Sequence, residues 1–187
     1  MVVFDVETQK AFDEVGGRAF IERLGLSVAV VYSTRTREYT AYREEEVDKL
    51  LAVLRRADLV VGFNILGFDY RVLRPYAGED LGQVLPSLDI LQEIRKELGF
   101  RLSLDHLACE TLGEGKSGDG LQAIQWYREG RFDELISYCR RDVEVTWNLF
   151  RYGWREGCLY WRDRTGARRP LRASWSGRQE WAEALAV

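Results

Sequence analysis

The sequence is short of the residues on which several kinds of site depend. It has three cysteines, none of them in a CxxC pair, so it indicates neither a zinc site nor a disulfide framework, and we expect reduced thiols. No run of about 18 apolar residues is present, which argues against a membrane-spanning helix. The N-terminus lacks a basic stretch followed by an apolar one, so we expect no signal peptide and a cytoplasmic location.

Charge is distributed unevenly along the chain. A chain of 187 residues is expected to form a single domain (1–187) with a sizeable core. Its formal charge of −3 combines +4 in residues 151–187, where eight Arg face four acids, with −7 in residues 1–150. A basic C-terminal extension on an acidic body fits a carboxylate-rich metal site beside a phosphate-contacting edge. It fits an ordinary solvated surface equally well.

The hydrophobic pattern predicts a mixed α/β sheet with helices packed on it. Strands are predicted at 2–6, 24–33, 38–42 and 59–63, with a helix at 44–57 before the last of them. Further helices are predicted at 68–76, 87–98, from 104 onward after a Ser103 cap, at 121–128 and at 132–152. Residues 159–161 and 170–175 flank a turn at 164–167, which predicts a C-terminal β-hairpin.

Three acids stand out in the first half of the chain. Asp5 and Glu7 are two residues apart in the first strand, so they project from one face and repel each other unless a cation lies between them. A solvated strand end is the plain alternative. Asp69 follows an apolar strand at a predicted helix start, where α/β folds gather functional groups. It could also be an ordinary first-turn acid that the helix dipole favours.

A second group lies in the long C-terminal helix. Tyr138 and Asp142 are four residues apart and therefore share a helix face. Asp142 borders the apolar stripe, so it is either solvated or bound to something positive. Cys139 between them is expected to be a small packed residue. Asn64, in the turn before Asp69, could hold that loop by hydrogen bonds or touch a substrate.

These residues lie in segments that resemble a known family. The segments FDVET (4–8), GFNILGFD (62–69) and YCRRD (138–142) look like the three motifs of the DEDD superfamily of 3′→5′ exonucleases. The spacing Tyr-x-x-x-Asp resembles the tyrosine subgroup (DEDDy), whereas the sister subgroup has His where Ser137 stands here. The chain is similar to proofreading domains of family B DNA polymerases and to stand-alone or helicase-attached exonuclease-like domains of bacteria. The only histidine, His106, is expected to be structural.

The resemblance implies an RNase H-like fold and a two-metal hydrolytic mechanism with Mg²⁺ or Mn²⁺. Asp5, Glu7 and Asp142 would bind one ion, Asp5 would share a second with Asp69 acting through water, and Tyr138 would orient the attacking water. The substrate would be the single-stranded 3′ end of DNA or RNA, the products 5′-mononucleotides, and the setting DNA repair with a possible helicase or polymerase partner. The residues expected to contact substrate are Thr8, Asn64, Phe68 and Lys116.

Three alternatives remain open at this level. An RNase H-like endonuclease would need a similar set of acids. A nucleic-acid-binding module without catalysis could have the same fold. Lys116 lies in the segment GEGKSGDG (113–120), which could be simply a flexible charged loop.

Overall fold

The structure is a computed structural model that describes residues 1–115 and 120–185. Within these ranges the strands are β1 (Val2–Thr8), β2 (Leu26–Ser33), β3 (Glu38–Arg43), β4 (Val60–Gly62), β5 (Ser87–Asp89), β6 (Cys158–Arg162) and β7 (Arg168–Arg172). The α-helices there are α1 (Val47–Arg55), α2 (Asp69–Ala77), α3 (Leu81–Val84), α4 (Ile90–Leu98), α5 (Leu104–Leu112), α6 (Gly120–Arg128), α7 (Phe132–Glu156) and α8 (Ala182–Leu185). Short 3-10 helices occur at Asp13–Val15, Arg18–Arg23, Glu44–Glu46 and Gln179–Trp181. None of the described helices is long and apolar enough to cross a membrane.

The main sheet has five strands in the order β3-β2-β1-β4-β5. Strands β1, β2 and β3 pair antiparallel, whereas β4 and β5 continue the sheet in parallel with β1. The predicted mixed α/β sheet with a C-terminal hairpin is therefore confirmed. Strand β2 is buried along nearly its whole length because both sheet faces are covered, which explains its continuous apolar sequence.

Each face of the sheet packs against its own set of helices. On one face, Phe4 and Val6 lie in a core with apolar residues of α1 and α2. On the other face, Val3 lies in a core with α4, α5 and α7, which extends to Leu159 and Leu171 of the terminal hairpin. Residues of β1 therefore alternate between two cores, and the side chains at odd positions face helix α7.

The prediction of one helix over 87–98 is wrong at its start. Residues Ser87–Asp89 form the edge strand β5, which pairs with β4, and the helix begins only at Ile90. Because Asp89 accepts a hydrogen bond from the amide of Gln92 at 3.2 Å, it caps α4. A strand of three residues is too short to show the alternation of apolar and polar residues that marks a strand. It is recognised only by its pairing with β4.

Two other helix ends differ from their predictions. Helix α2 continues past Pro75 to Ala77 and ends where Gly78 takes a φ of 70°. Helix α7 continues through Gly153 to Glu156. A Cβ atom at Gly153 would lie 2.6 Å from the Trp175 ring, so the glycine lets the C-terminal segment pack against the helix.

Side chains of α5 join the terminal hairpin to the body. The Thr111 hydroxyl accepts a hydrogen bond from the amide of Tyr160 at 2.9 Å and donates one to its carbonyl at 3.1 Å. The ring Nε2 of His106 accepts a hydrogen bond from the amide of Arg162 at 3.0 Å. The expected structural role of His106 is thus confirmed.

Candidate active site

The centre of the candidate site is the C-terminal half of β1. Asp5 and Glu7 are half-buried and lie on the face of β1 that Val3 packs against α7, opposite to Phe4 and Val6. The register with β2 shifts between Glu7 and Thr8, so the strand is irregular where its acids lie. Such irregularities commonly redirect side chains at functional sites.

Helix α7 brings a third carboxylate to this strand from the far end of the chain. Oxygen atoms of Asp5, Glu7 and Asp142 lie within 4.8 Å of one another. Cys139 joins helix α7 to strand β1. Its Sγ lies 3.4 Å from the Asp5 carbonyl oxygen and 3.5 Å from Asp5 Oδ2. The residue is on the buried face of the helix, one turn before Val143. The cysteine is fully buried, as expected for a packed residue.

Asp69 begins helix α2 beside the same strand. Its carboxylate is 2% exposed and its Oδ1 accepts a hydrogen bond from the amide of Val6 at 3.0 Å. Asp69 is not one of the three acids within 4.8 Å. Its charge nevertheless raises the pKa of both Asp5 and Glu7, so it belongs to the same electrostatic group.

The titration of these acids follows from burial and mutual repulsion. Burial, followed by the charges of Asp69, Glu7 and Asp142, raises the pKa of Asp5 well above its ordinary value. Burial and the charges of Asp142 and Asp69 do the same to the pKa of Glu7. Burial raises the pKa of Asp69 to about 8, despite the hydrogen bonds it accepts from backbone amides. Without a cation, the site therefore disfavours full ionisation.

The acid cluster suits a hard divalent cation. Three carboxylates within 4.8 Å offer the oxygen ligands that Mg²⁺ and Mn²⁺ prefer. A cation there would relieve the repulsion that raises the pKa values of Asp5 and Glu7. The residues present therefore fit a divalent metal, and Asp5, Glu7 and Asp142 are the ones that could hold it.

Tyr138 lies beside the cluster on α7. Burial and the charges of Asp142, Glu7 and Asp5 raise the pKa of its hydroxyl above the ordinary value. Its ring packs edge-on against Trp126 with 6.0 Å between ring centroids. The tyrosine lines a groove with Trp126 and Ser137 that shares no lining residue with the cleft that contains the acids.

The loop that precedes Asp69 is held by an acid that the sequence did not single out. Asp89 accepts hydrogen bonds from the amides of Asn64 at 2.8 Å and Leu66 at 3.0 Å. These bonds hold Asn64 in a left-handed conformation with φ of 71°. The Asn64 side chain accepts a hydrogen bond from Arg101 at 3.2 Å. Asp89 directly precedes the helical run Ile90, Leu91 and Ile94. An Asp at that position is a sequence signal for a helix N-cap, and it could have identified Asp89.

The residues expected to contact substrate lie in different places. Thr8 and Phe68 line the cleft together with the acids, and Phe68 contacts Phe12 edge-on at 6.1 Å. The Thr8 hydroxyl donates a hydrogen bond to the carbonyl of Lys10 at 3.0 Å and so holds the turn after β1. Lys116 lies outside the described residues, so its predicted phosphate contact stays a prediction.

Two arginines beside the acids have no signal in the sequence. Arg18 and Arg101 line a cavity together with Asp5, Asn64 and Asp142. Arg18 comes from the segment after β1 and Arg101 from the connection between α4 and α5. Because those segments follow no recognisable motif, only the fold shows that these two residues line a cavity with the acids.

The sequence matches a known protein family over most of its length. A family model described as the RNase H superfamily matches residues 2–153. The chain belongs to the RNase H superfamily. The match includes β1, the Asn64 loop and most of α7, but ends before the terminal hairpin. In this RNase H superfamily protein, the acid cluster therefore lies wholly within the shared domain.

A solved structure similar to this RNase H superfamily protein is that of the family B DNA polymerase from the hyperthermophilic archaeon Pyrobaculum calidifontis. The TM-score is 0.61 with 18% sequence identity, and the match covers 82% of this chain. It covers only 25% of the polymerase chain, so the present chain corresponds to about a quarter of that protein. No curated protein matches the chain. The structural match is further evidence that the chain has an RNase H-like fold.

Proposed function

We propose that the protein is a metal-dependent 3′→5′ exonuclease of the tyrosine (DEDDy) subgroup. It hydrolyses the terminal phosphodiester of DNA or RNA and releases 5′-mononucleotides. The observation that carries the proposal is the meeting of Asp5, Glu7 and Asp142 within 4.8 Å, with Tyr138 one helical turn before Asp142. A set of hard ligands that can hold divalent ions, beside a group that can orient water, suits metal-assisted hydrolysis of a phosphodiester.

Each acid has a separate part in the proposal. Asp5, Glu7 and Asp142 would hold one divalent ion, Mg²⁺ or Mn²⁺, and Asp5 would help to hold a second, with Asp69 acting through water. Bound divalent ions would supply a water of lowered pKa and stabilise the charge that develops on the phosphate oxygens. Asp69 also holds β1 and α2 together through Val6, so it positions Asp5 as well.

Tyr138 is proposed to orient the attacking water. The raised pKa keeps its hydroxyl protonated at neutral pH, so it acts through a hydrogen bond and not as a base. Its packing against Trp126 limits the freedom of the ring. An oriented hydroxyl beside the carboxylates would align water for attack on the phosphorus.

The substrate is proposed to be a single-stranded 3′ end. Membership in the RNase H superfamily and the fold shared with a family B DNA polymerase support a nucleic-acid substrate. Phe68 and Thr8 would contact the terminal nucleotide in the cleft, with Asn64 and Lys116 as further contacts.

The proposed biological role is DNA repair, together with a helicase or polymerase partner. We further propose one domain over residues 1–187, with 151–187 as its basic extension.

The proposal is tested with 5′-labelled single-stranded DNA and RNA in Mg²⁺ or Mn²⁺. A ladder that shortens from the 3′ end supports it, provided that chelator and Asp142→Ala both abolish the ladder. Internal cuts would instead indicate an endonuclease. Binding without cleavage, unchanged in Asp142→Ala, would indicate a non-catalytic nucleic-acid module. Mass analysis of the product as a 5′-mononucleotide checks which bond is broken.

A further inference from the structure

Different elements line two sides of the acid cluster. On one side, Leu121 and Ile124 of α6 line the cleft, and beyond them Arg128 pairs with Glu14 of the segment after β1 at 2.6 Å. This ion pair joins two segments 114 residues apart. On the other side, the cavity that contains Asp5 and Asp142 is lined by the connection between α4 and α5. This second side is called the α4–α5 side of the cleft.

The α4–α5 side of the cleft carries positive charge. Arg18 and Arg101 both line it, and neither forms an ion pair with an acid among the described residues. The Arg18 guanidinium lies over the Phe12 ring at 4.6 Å, whereas Arg128 and Arg162 elsewhere pair with Glu14 and Glu110. A guanidinium group without an ion pair, beside a cluster of carboxylates that suits a metal, fits a backbone phosphate.

Arg101 is held in place by the loop of the second motif. Its guanidinium donates a hydrogen bond to Asn64 Oδ1, and Asp89 fixes the backbone of Asn64. A Cβ atom at Gly67 would lie 2.7 Å from Asn64 Oδ1, so the glycine leaves room for that side chain. Asn64 is therefore a positioning residue for Arg101.

Next to Arg101 an aromatic pair faces solvent. Phe100 is 44% exposed, and its ring contacts Trp161 edge-on with 5.3 Å between centroids and an interplanar angle of 66°. Trp161 belongs to β6 of the terminal hairpin, beyond the part of the chain that matches the superfamily. Proteins that bind single strands use such exposed rings to stack on bases, and nearby arginines to contact the backbone phosphates.

We propose that Phe100, Arg101 and Trp161 form a subsite for the single strand on the 5′ side of the scissile bond. This inference rests on the proposed exonuclease function and names where its substrate lies. Arg101 contacts a backbone phosphate, the Phe100 ring stacks on a base, and Trp161 supports that ring. The C-terminal hairpin is thereby part of the substrate surface.

Binding is measured by fluorescence anisotropy of a labelled short oligothymidylate in the Asp142→Ala background, which prevents hydrolysis. Phe100→Ala should weaken binding about tenfold, and Phe100→Tyr should restore it, because stacking needs only a ring. Arg101→Ala should weaken binding and reduce the slope of log K against log salt by about 0.7, the value for one phosphate contact to a single strand. Arg56→Ala, an exposed arginine at the end of α1, is the matched control and should bind normally.

Kinetics separate this subsite from the acids. Thymidine 5′-monophosphate p-nitrophenyl ester has a terminal nucleotide but no nucleotide on the 5′ side. In the otherwise unmodified protein, Phe100→Ala and Arg101→Ala should lose about tenfold more kcat/KM on the oligonucleotide than on the ester. Equal losses on both substrates, or normal oligonucleotide binding in both variants, would overturn the inference.

These measurements distinguish a failure of the proposed exonuclease function from a failure of the proposed subsite. If the unmodified protein hydrolyses neither substrate, the exonuclease proposal fails while the anisotropy measurement still decides the subsite. Weaker binding by Phe100→Ala and Arg101→Ala then supports a single-strand surface, and absence of any oligonucleotide binding overturns it.

Discussion

The Oδ1 atom of Asp69 accepts a hydrogen bond from the backbone amide of Val6 at 3.0 Å, across 63 residues of sequence. Val6 lies between Asp5 and Glu7, so this bond ties the start of helix α2 to the strand that carries both acids. The bond is fully buried. Asp69 therefore has a structural contact as well as a charge, and substitutions can separate the two.

Asp69→Asn and Asp69→Ala should differ in stability but not in activity. Both remove the carboxylate, so we expect both to lose metal-dependent hydrolysis in the assay for 3′ shortening. Only Asp69→Ala leaves the buried Val6 amide without an acceptor, which should lower the free energy of unfolding by about 1–3 kcal/mol. Urea unfolding curves of the two metal-free proteins measure the difference. Equal stability of the two variants would contradict the role of this hydrogen bond.

The metal-free protein should become less stable as pH rises. Burial raises the pKa of Asp69 from 3.8 to about 8, so the folded state holds this proton more tightly than the unfolded state does. The resulting stability is complete below about pH 4 and is lost as pH rises towards about 8. Melting temperatures in chelator should fall between about pH 5.5 and pH 8.5. Asp69→Asn should reduce this fall without abolishing it, because the pKa values of Asp5 and Glu7 are also raised, and Mn²⁺ should restore the melting temperature at the higher pH.

Tyr138→Phe should slow hydrolysis while leaving metal binding largely intact. The hydroxyl is proposed to orient water, a contribution worth roughly a hundredfold in rate. Because the tyrosine hydroxyl is proposed to act while protonated, wild type and variant should have rate–pH profiles of the same shape around neutral pH. Isothermal titration with Mn²⁺ serves as the control. Loss of metal binding in Tyr138→Phe would contradict the assigned role.

Asn64→Gly should be more stable than Asn64→Ala. Asn64 has a φ of 71°, and a side chain other than Asn or Gly there costs about 1 kcal/mol. Both variants lose the contact to Arg101, so the comparison isolates the backbone conformation. Chemical denaturation should show the difference of about 1 kcal/mol, whereas activity on oligonucleotides should fall in both.

Gly153→Ala should destabilise the protein by about 1–3 kcal/mol, because its Cβ would lie 2.6 Å from the Trp175 ring. Gly120→Ala is the matched control, since a Cβ at this helix position meets no atom of the described residues within 4 Å. An alanine in an open helical position is neutral or stabilising. If Gly153→Ala melts at the wild-type temperature, the C-terminal segment does not pack against α7 as described.

Local periodicity accounts for most of the correct predictions. Residues two apart on a strand share a face, which put Asp5 with Glu7, and residues four apart on a helix share a face, which put Tyr138 with Asp142. Both relationships follow from backbone geometry within one element. The edge strand Ser87–Asp89 could not be found in this way, because its hydrogen bonds come from β4 and not from its own sequence.

The sequence by itself determined the acids, their order along the chain and the α/β class, because each depends on residue type and local spacing. Only the tertiary structure decided that Asp142 reaches Asp5, that Asp89 holds the Asn64 loop, that Arg101 lines a cavity with the acids, and that Phe100 packs on Trp161. The distances between these residues depend on how helices α4, α5 and α7 pack on the sheet. That packing arises from burial of apolar surface by the chain as a whole, which no local segment encodes.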